Sequence, residues 1–319
     1  MKAYLKAISY YLPKAVLSNE QLAEEFPEWT VEKVAKKVGI HTRHIAAKDE
    51  FVSDMAVSAA EQLFEEYKID KSTIDFILLC TQSPDYFLPT TACLVQDRLG
   101  LPTSAGAIDY NQGCSGYVYG LALAKGLISA GIAKNVLLIT SEVYSKHIQD
   151  QDKGNRTIFG DAAAASIIST EGFAEILDFD LGSDGSGAEN LIVKNGAMKK
   201  SKNGEEDDFL FMNGAAIFNF TLESVPELVK NTLQKNKLEK VDWYVFHQAN
   251  SFMLNHLRKK IGIEEEQFLM HMENCGNTVS STLPIVIKEH QTSFKTGQKA
   301  LLAGFGVGYS WGGVIIDFQ

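Results

Sequence analysis

Only four cysteines occur in 319 residues, Cys80, Cys93, Cys114 and Cys275, widely spread and without a Cys-x-x-Cys pair. That scarcity argues against a disulfide framework and against a zinc site. Long apolar runs are missing too. No stretch approaches the roughly 18 to 20 residues of a membrane-spanning helix, and the opening Met1-Lys2-Ala3-Tyr4-Leu5-Lys6 lacks an apolar core followed by a small-residue cleavage site. The expectation is a soluble, cytoplasmic protein with no membrane partner. An excess of positive charge is also absent: the formal net charge is −10, which argues against general nucleic-acid binding and leaves room only for a local basic patch.

What is present is an ordinary globular composition, 45% apolar and 22% charged, in a chain long enough to bury a sizeable core. Ser18-Asn19-Glu20-Gln21 fits a capping box opening a helix, and residues 31–37, 53–67 and 90–99 read as further helices, the last stopped by Gly100. Apolar runs at 74–81, 135–140, 161–168 and 241–246 read as strands, and 251–260 as a helix. Residues 148–156 and 182–187 read as loops. A long helical pattern spans 213–234, with Pro226 expected to kink or restart it. The end, 300–318, reads as two strands around a glycine-rich turn. Strands alternating with helices predict an α/β protein with a largely parallel sheet.

A weak internal repeat links the halves. Ile74-Asp75-Phe76 echoes Val241-Asp242-Trp243 at an offset of 167 residues (75 to 242). Val136-Leu137-Leu138 echoes Ala300-Leu301-Leu302 at 164 (136 to 300), and Gly113-Cys114 falls near Gly276-Asn277 at 163 (114 to 277). Two copies of one α/β unit would set the turn after Gly113 opposite the turn after Gly276.

Cys114 lies in Asn111-Gln112-Gly113-Cys114-Ser115-Gly116, between a short strand at 105–110 and a helix over 115–130 whose only charge is Lys125. At a helix start, unpaired N–H groups and the dipole favour thiolate over thiol. Gly116 and Gly120 share one helix face, and each costs about 1 kcal/mol relative to alanine, so another backbone is expected to pack closely there, namely the helix after Asn277. Taken alone, Cys114 fits a small core hydrophobe as well as a nucleophile. His247, at the end of a strand in Phe246-His247-Gln248-Ala249-Asn250, fits a core histidine as well as a base, and Asn277 fits a turn residue or helix cap. Together they make a nucleophile with two hydrogen-bonding partners. Gly304, Gly306 and Gly308 suggest a phosphate loop, but strand-like residues follow and the P-loop lysine is missing.

These motifs, with Arg43-His44-Ile45-Ala46, Phe159-Gly160-Asp161 and the glycines of 304–313, resemble the β-ketoacyl-acyl carrier protein synthase III family of thiolase-like condensing enzymes along nearly the whole chain. The resemblance implies a five-layered α-β-α-β-α sandwich of two duplicated βαβαβαββ halves. Residues 1–170 would carry the nucleophile, and 171–319 the histidine and asparagine. It implies that Cys114 takes an acyl group from acyl-CoA. His247 and Asn277 would bind the thioester carbonyl of malonyl-acyl carrier protein and stabilise the enolate left by decarboxylation. The backbone N–H groups of Cys114 and Val307 would form a second oxyanion hole. No cofactor is implied, coenzyme A being part of a substrate. Trp29, Lys37, Lys153 and Arg156 match the region that binds CoA, although lysines at 37 and 153 replace expected arginines and lose planar stacking. Phe252 replaces a basic residue in the carrier-protein docking helix, where Arg258, Lys259 and Lys260 could supply a patch. Phe87 and Leu88 match the loop that completes the acyl pocket of a partner subunit, so a homodimer is implied. The competing readings are an acyltransferase acting on an alcohol or amine, a thiolase using Cys275, and a non-enzymatic acyl-binding protein.

Overall fold

The computed structural model describes residues 1–28, 30–201 and 207–319. The first half runs β1 (Tyr4–Tyr11), β2 (Ala15–Ser18), α1 (Asn19–Glu25), α2 (Val31–Val38), β3 (Thr42–Ile45), α3 (Val52–Tyr67), β4 (Phe76–Cys80), α4 (Thr91–Leu99), β5 (Gly106–Tyr110), α5 (Gly116–Ser129), β6 (Asn135–Glu142), α6 (Lys153–Arg156) and β7 (Ala162–Ser169). The second runs β8 (Ala174–Ser183), β9 (Leu191–Ile192), β10 (Phe211–Met212), α7 (Gly214–Lys235), β11 (Trp243–Phe246), α8 (Ser251–Ile261), β12 (Phe268–Leu269), α9 (Thr282–Glu289), β13 (Lys299–Gly306) and β14 (Ser310–Phe318).

The main sheet has the order β12-β11-β13-β14-β8-β1-β7-β6-β4-β5. It is a palindrome of equivalent strands about the β8–β1 contact, which is only two residue pairs long, Tyr4 with Glu175 and Leu5 with Ala174. The weak repeat is therefore structural, and its register agrees: Phe76 pairs with Val136 and Trp243 with Ala300. Even the aspartates correspond. Asp75 accepts from Asn135 N at 2.9 Å, and Asp242 from Lys299 N at 2.8 Å, each tying the start of one strand to its parallel neighbour.

The sheet is mixed and not largely parallel as expected: β5-β4-β6 and β12-β11-β13 pair in parallel, whereas β7 and β14 return antiparallel against the strand that precedes each of them and pair antiparallel with β1 and β8. Each half-sheet is covered on both faces, as its parallel part requires. Side chains of α3 and α4 pack on the outer face of the first half and those of α7 and α8 on the outer face of the second, while α5 and α9 fill the layer between. Five layers result. The Ser18 capping box forms, with Gln21 N donating to Ser18 Oγ and Ser18 N to Gln21 Oε1, and Gly100 ends α4 at φ 65°.

Three further expectations need correction. Residues 182–187 are not one loop, because β8 extends to Ser183 and pairs along β14. Pro226 does not restart the helix: α7 is a single element of 22 residues that runs through it. Proline deprives Leu222 O of its i+4 donor, and Lys260 Nζ of α8 fills the gap at 2.7 Å. Lys260→Met is expected to lower stability by about 1 kcal/mol, and the loss should shrink in a Pro226→Ala background, measured as a double-mutant cycle by denaturant unfolding. Third, Gly116 and Gly120 do not face a helix backbone. A Cβ at Gly116 would lie 2.3 Å from Cys80 Sγ, and one at Gly120 2.2 Å from Tyr110 Oη and 2.5 Å from Leu138. The glycines seat α5 against strands β4, β5 and β6 of its own half; only Ser280 Cβ, 3.4 Å from a Cβ at Gly116, comes from the opposing turn.

Candidate active site

The strand-to-helix turn at Cys114 is shaped by what surrounds it. A Cβ at Gly113 would fall 2.5 Å from Val307 Cγ1 and 2.7 Å from Gln82 Oε1, so the turn accepts no side chain there. Across it lies the β13–β14 hairpin. A Cβ at Gly304 would sit 2.7 Å from Cys114 O and from Ser115 Cα, and one at Gly306 3.1 Å from Cys114 Cβ and Sγ. Ser115 Oγ meets Ser310 Oγ at 2.7 Å and locks the two turns together. The glycine-rich turn is thus a close-packed wall for the thiol, and strands flank it on both sides.

Cys114, His247 and Asn277 line one cavity of about 140 Å³ together with Phe159, Phe305 and Gly306. His247 follows β11, and its Nδ1 lies 2.9 Å from Thr282 Oγ1, so Nε2 is the ring nitrogen left for the cavity. Burial pushes His247 down to about 3, and the ring is neutral at physiological pH. Asn277 is held by its backbone to the segment 158–160, donating to Ile158 O at 2.9 Å and accepting from Gly160 N at 3.0 Å. Its side-chain Oδ1 accepts from Val279 N at 2.9 Å. That bond fixes the amide's sense and leaves Nδ2, a donor, for the cavity. Val279 adopts φ 54°, unusual for a β-branched residue, and this strained backbone is what aims its N–H at Asn277.

The helix start does not dominate the thiol. Burial, and then the Glu142 carboxyl, push Cys114 up to about 12, opposite to the expected lowering. The reason is that a thiolate in this closed pocket loses water before any substrate arrives; the backbone N–H of Cys114 opposes that effect without overcoming it.

Glu142, at the end of β6, is a residue that sequence reasoning missed. It is fully buried and accepts from Gln82 N, Ser83 Oγ and Ser280 Oγ, joining the loop after β4 to the turn after Asn277. A carboxylate continuing an apolar strand was the available signal. Burial raises it from 4.5 to about 8. The folded protein therefore keeps a proton that the unfolded chain releases above about 4.5, and stability should fall as pH rises between those values, by up to about 1.4 kcal/mol per pH unit. Glu142→Gln should flatten that slope, read from denaturant midpoints at pH 5.5 and 8.5.

The remaining expected residues scatter. Val307 turns its side chain to Gly113 and a neighbouring cavity, while Gly306 lies on the thiol. Lys37 lines a groove of about 330 Å³ that continues past Ile158 and Met212. Lys153 and Arg156 pair with Glu28 and Glu25 and lie over the Phe26 ring. Trp29 lies outside the described residues. Tyr86, Phe87 and Leu88 are 61%, 74% and 82% exposed. On the α8 side, Arg258 pairs with Glu265 and Lys260 serves Leu222, so two of the three patch cations have structural partners. Cys275 does not line the cavity; its Sγ faces His271 O at 3.6 Å, which removes the geometry a thiolase needs. No group of side chains suited to a metal ion occurs among the described residues.

Comparison with known proteins covers nearly the whole chain. The family model of 3-oxoacyl-[acyl-carrier-protein (ACP)] synthase III matches residues 108–185, and the model of its C terminal part matches 233–318. A β-ketoacyl-[acyl-carrier-protein] synthase III of Clostridium perfringens is 36% identical, covering 96% of both chains. A crystal structure of a 3-oxoacyl-(acyl-carrier-protein) synthase III superposes with a TM-score of 0.96 at 44% identity over 100% of both chains. That of a 3-oxoacyl-(acyl-carrier protein) synthase from Burkholderia xenovorans does so with 0.93 at 34%, over 100% of this chain and 95% of the other. With its duplicated five-layered fold and its cysteine, histidine and asparagine in one cavity, the chain belongs to the β-ketoacyl-[acyl-carrier-protein] synthase III family of thiolase-like condensing enzymes.

Proposed function

We propose that this protein catalyses the decarboxylating Claisen condensation of an acyl-CoA with malonyl-acyl carrier protein. The observation that carries the roles is the fixed amide of Asn277: its oxygen is committed to Val279 N, so it offers the cavity a donor. Cys114 attacks the acyl thioester carbonyl, coenzyme A leaves as the thiol, and an acyl-cysteine remains. The malonyl thioester then places its carbonyl oxygen against His247 Nε2 and Asn277 Nδ2. Carbon dioxide departs and the two donors hold the enolate. For His247 to donate from Nε2, the Thr282 hydroxyl must turn its hydrogen from Val279 O to Nδ1. The enolate carbon attacks the acyl-cysteine, the amides of Cys114 and Val307 receive the oxyanion, and a 3-ketoacyl thioester is released. No cofactor takes part.

Residues 1–170 supply the nucleophile and residues 171–319 the two donors, a division supported by the palindromic strand order. Lys37 stands where it could meet the CoA end of the donor. Lys153 and Arg156 would reach it only by leaving their glutamates, and Trp29 completes the assignment. The working form is a cytoplasmic homodimer in which Phe87 and Leu88 enter the partner's acyl pocket. Their exposure supports this, as does β5, an edge strand with Ile108 43% exposed. Size exclusion at micromolar concentration should give twice the 35.2 kDa chain mass, and a stable monomer would remove the shared pocket.

The test of the reaction is an intact-mass measurement with acyl-CoA donors, followed by malonyl-acyl carrier protein and detection of carbon dioxide. An adduct discharged with decarboxylation is the expected result. Transfer only to an alcohol or amine would make the protein an acyltransferase, and no adduct from any donor would leave an acyl-binding protein.

A further inference from the structure

A second cavity, of about 380 Å³, opens beside the thiol, and its mainly apolar lining is interrupted by a row of polar side chains. Leu191 borders both cavities, and Val307 lines the larger one directly after Gly306, which lies on Cys114 Sγ. Phe159, in the cysteine's cavity, packs tilted against Tyr144 of the larger one with ring centroids 5.0 Å apart. A group attached to Sγ therefore has this space within reach.

One wall carries a chain of polar groups that runs from the buried Tyr144 to the exposed Asn111. Tyr144, only 4% exposed, donates to Gln82 Oε1 at 3.3 Å, and Gln82 Nε2 donates to Asn111 Oδ1 at 3.1 Å. The tyrosine oxygen is left able to accept, and Asn111 Nδ2 donates to no partner among the described residues. A saturated acyl chain would displace water from these groups and return nothing, whereas a hydroxyl on the chain would both donate and accept. A carboxylate is less well matched. Of the basic groups on its lining, Lys194 already pairs with Asp207 at 3.5 Å, Lys199 is exposed at the rim, and burial lowers His147 away from its charged form.

We infer that the donor is a short hydroxyacyl thioester, its hydroxyl read by Tyr144, Gln82 and Asn111. This rests on the acyl-cysteine reading above and names the acyl group. The test is the rate of the mass increase on the full protein with butyryl-CoA, 3-hydroxybutyryl-CoA, 4-hydroxybutyryl-CoA and succinyl-CoA. One of the hydroxybutyryl donors should load at least about tenfold faster than butyryl-CoA. In Tyr144→Phe with Gln82→Leu, the ratio of the two rates should fall to within about twofold.

Butyryl-CoA loading as fast as both hydroxy donors overturns the inference in the wild type alone, whatever the variants do. So does succinyl-CoA loading fastest, or a hydroxyl preference that survives in a folded double variant. If no donor modifies Cys114, the acyl-cysteine reading itself fails, a result distinguishable from a preference for plain chains.

Discussion

Cys114→Ala is expected to abolish the acyl adduct and to lower turnover by roughly 10⁴-fold or more, as removal of a nucleophile does when the rest of a site survives. The fold should survive. Gly306 covers the Cβ that alanine keeps, the Ser115–Ser310 hydroxyl contact lies one residue on, and the lost sulfur borders a cavity and leaves no void deep in the core. The other thiols offer no substitute: Cys80 and Cys275 are buried away from the cavity, and Cys93 is exposed on α4. Intact mass after incubation with acyl-CoA, alongside an unchanged denaturant midpoint, checks both halves of the expectation. An adduct that persists in the variant would move the chemistry elsewhere.

Asn277→Ala should retain acylation of Cys114 and lose decarboxylation by about 10²- to 10³-fold, the usual effect of removing one oxyanion donor. Alanine also deletes the bond to Val279 N, so a second substitution separates donation from positioning. Asn277→Asp can still accept from Val279 N but presents an oxygen where the enolate forms. It should therefore lose decarboxylation as severely. Recovery in the aspartate variant would mean that Asn277 acts only by holding Val279. Carbon dioxide release from malonyl-acyl carrier protein is the readout, with adduct formation measured in parallel. Because burial holds His247 near 3, decarboxylation should show no step near the ordinary imidazole value of 6.5.

Much of the fold was legible because local rules govern it. The Ser18 capping box, the Gly100 stop and the apolar runs of β4, β6, β7 and β11 follow from side-chain periodicity and from the demands of backbone donors and acceptors. The faint echo of Ile74-Asp75-Phe76 in Val241-Asp242-Trp243 was legible as a repeat because both aspartates make the same backbone contact. Strand β8 carries the alternating Leu177-Asp178-Phe179-Asp180-Leu181 of a half-exposed strand, but its charges and its Gly182-Ser183 end hide how far it runs until β14 pairs along it. The continuity of α7 through Pro226 was hidden as well, since the compensating donor, Lys260, comes from another helix.

The three side chains proposed to react, and the family to which they point, could be reached from residue types in order along the chain. Their shared cavity, the sense of the Asn277 amide, the neutral His247 and the reluctance of the Cys114 thiol to ionise were decided by tertiary structure alone. Each depends on groups distant in sequence, Val279, Thr282, Glu142 and the wall at Gly304 to Gly306, that exclude water and set the local field. A chain's pattern carries its local propensities; desolvation and directed hydrogen bonds exist only once distant segments meet.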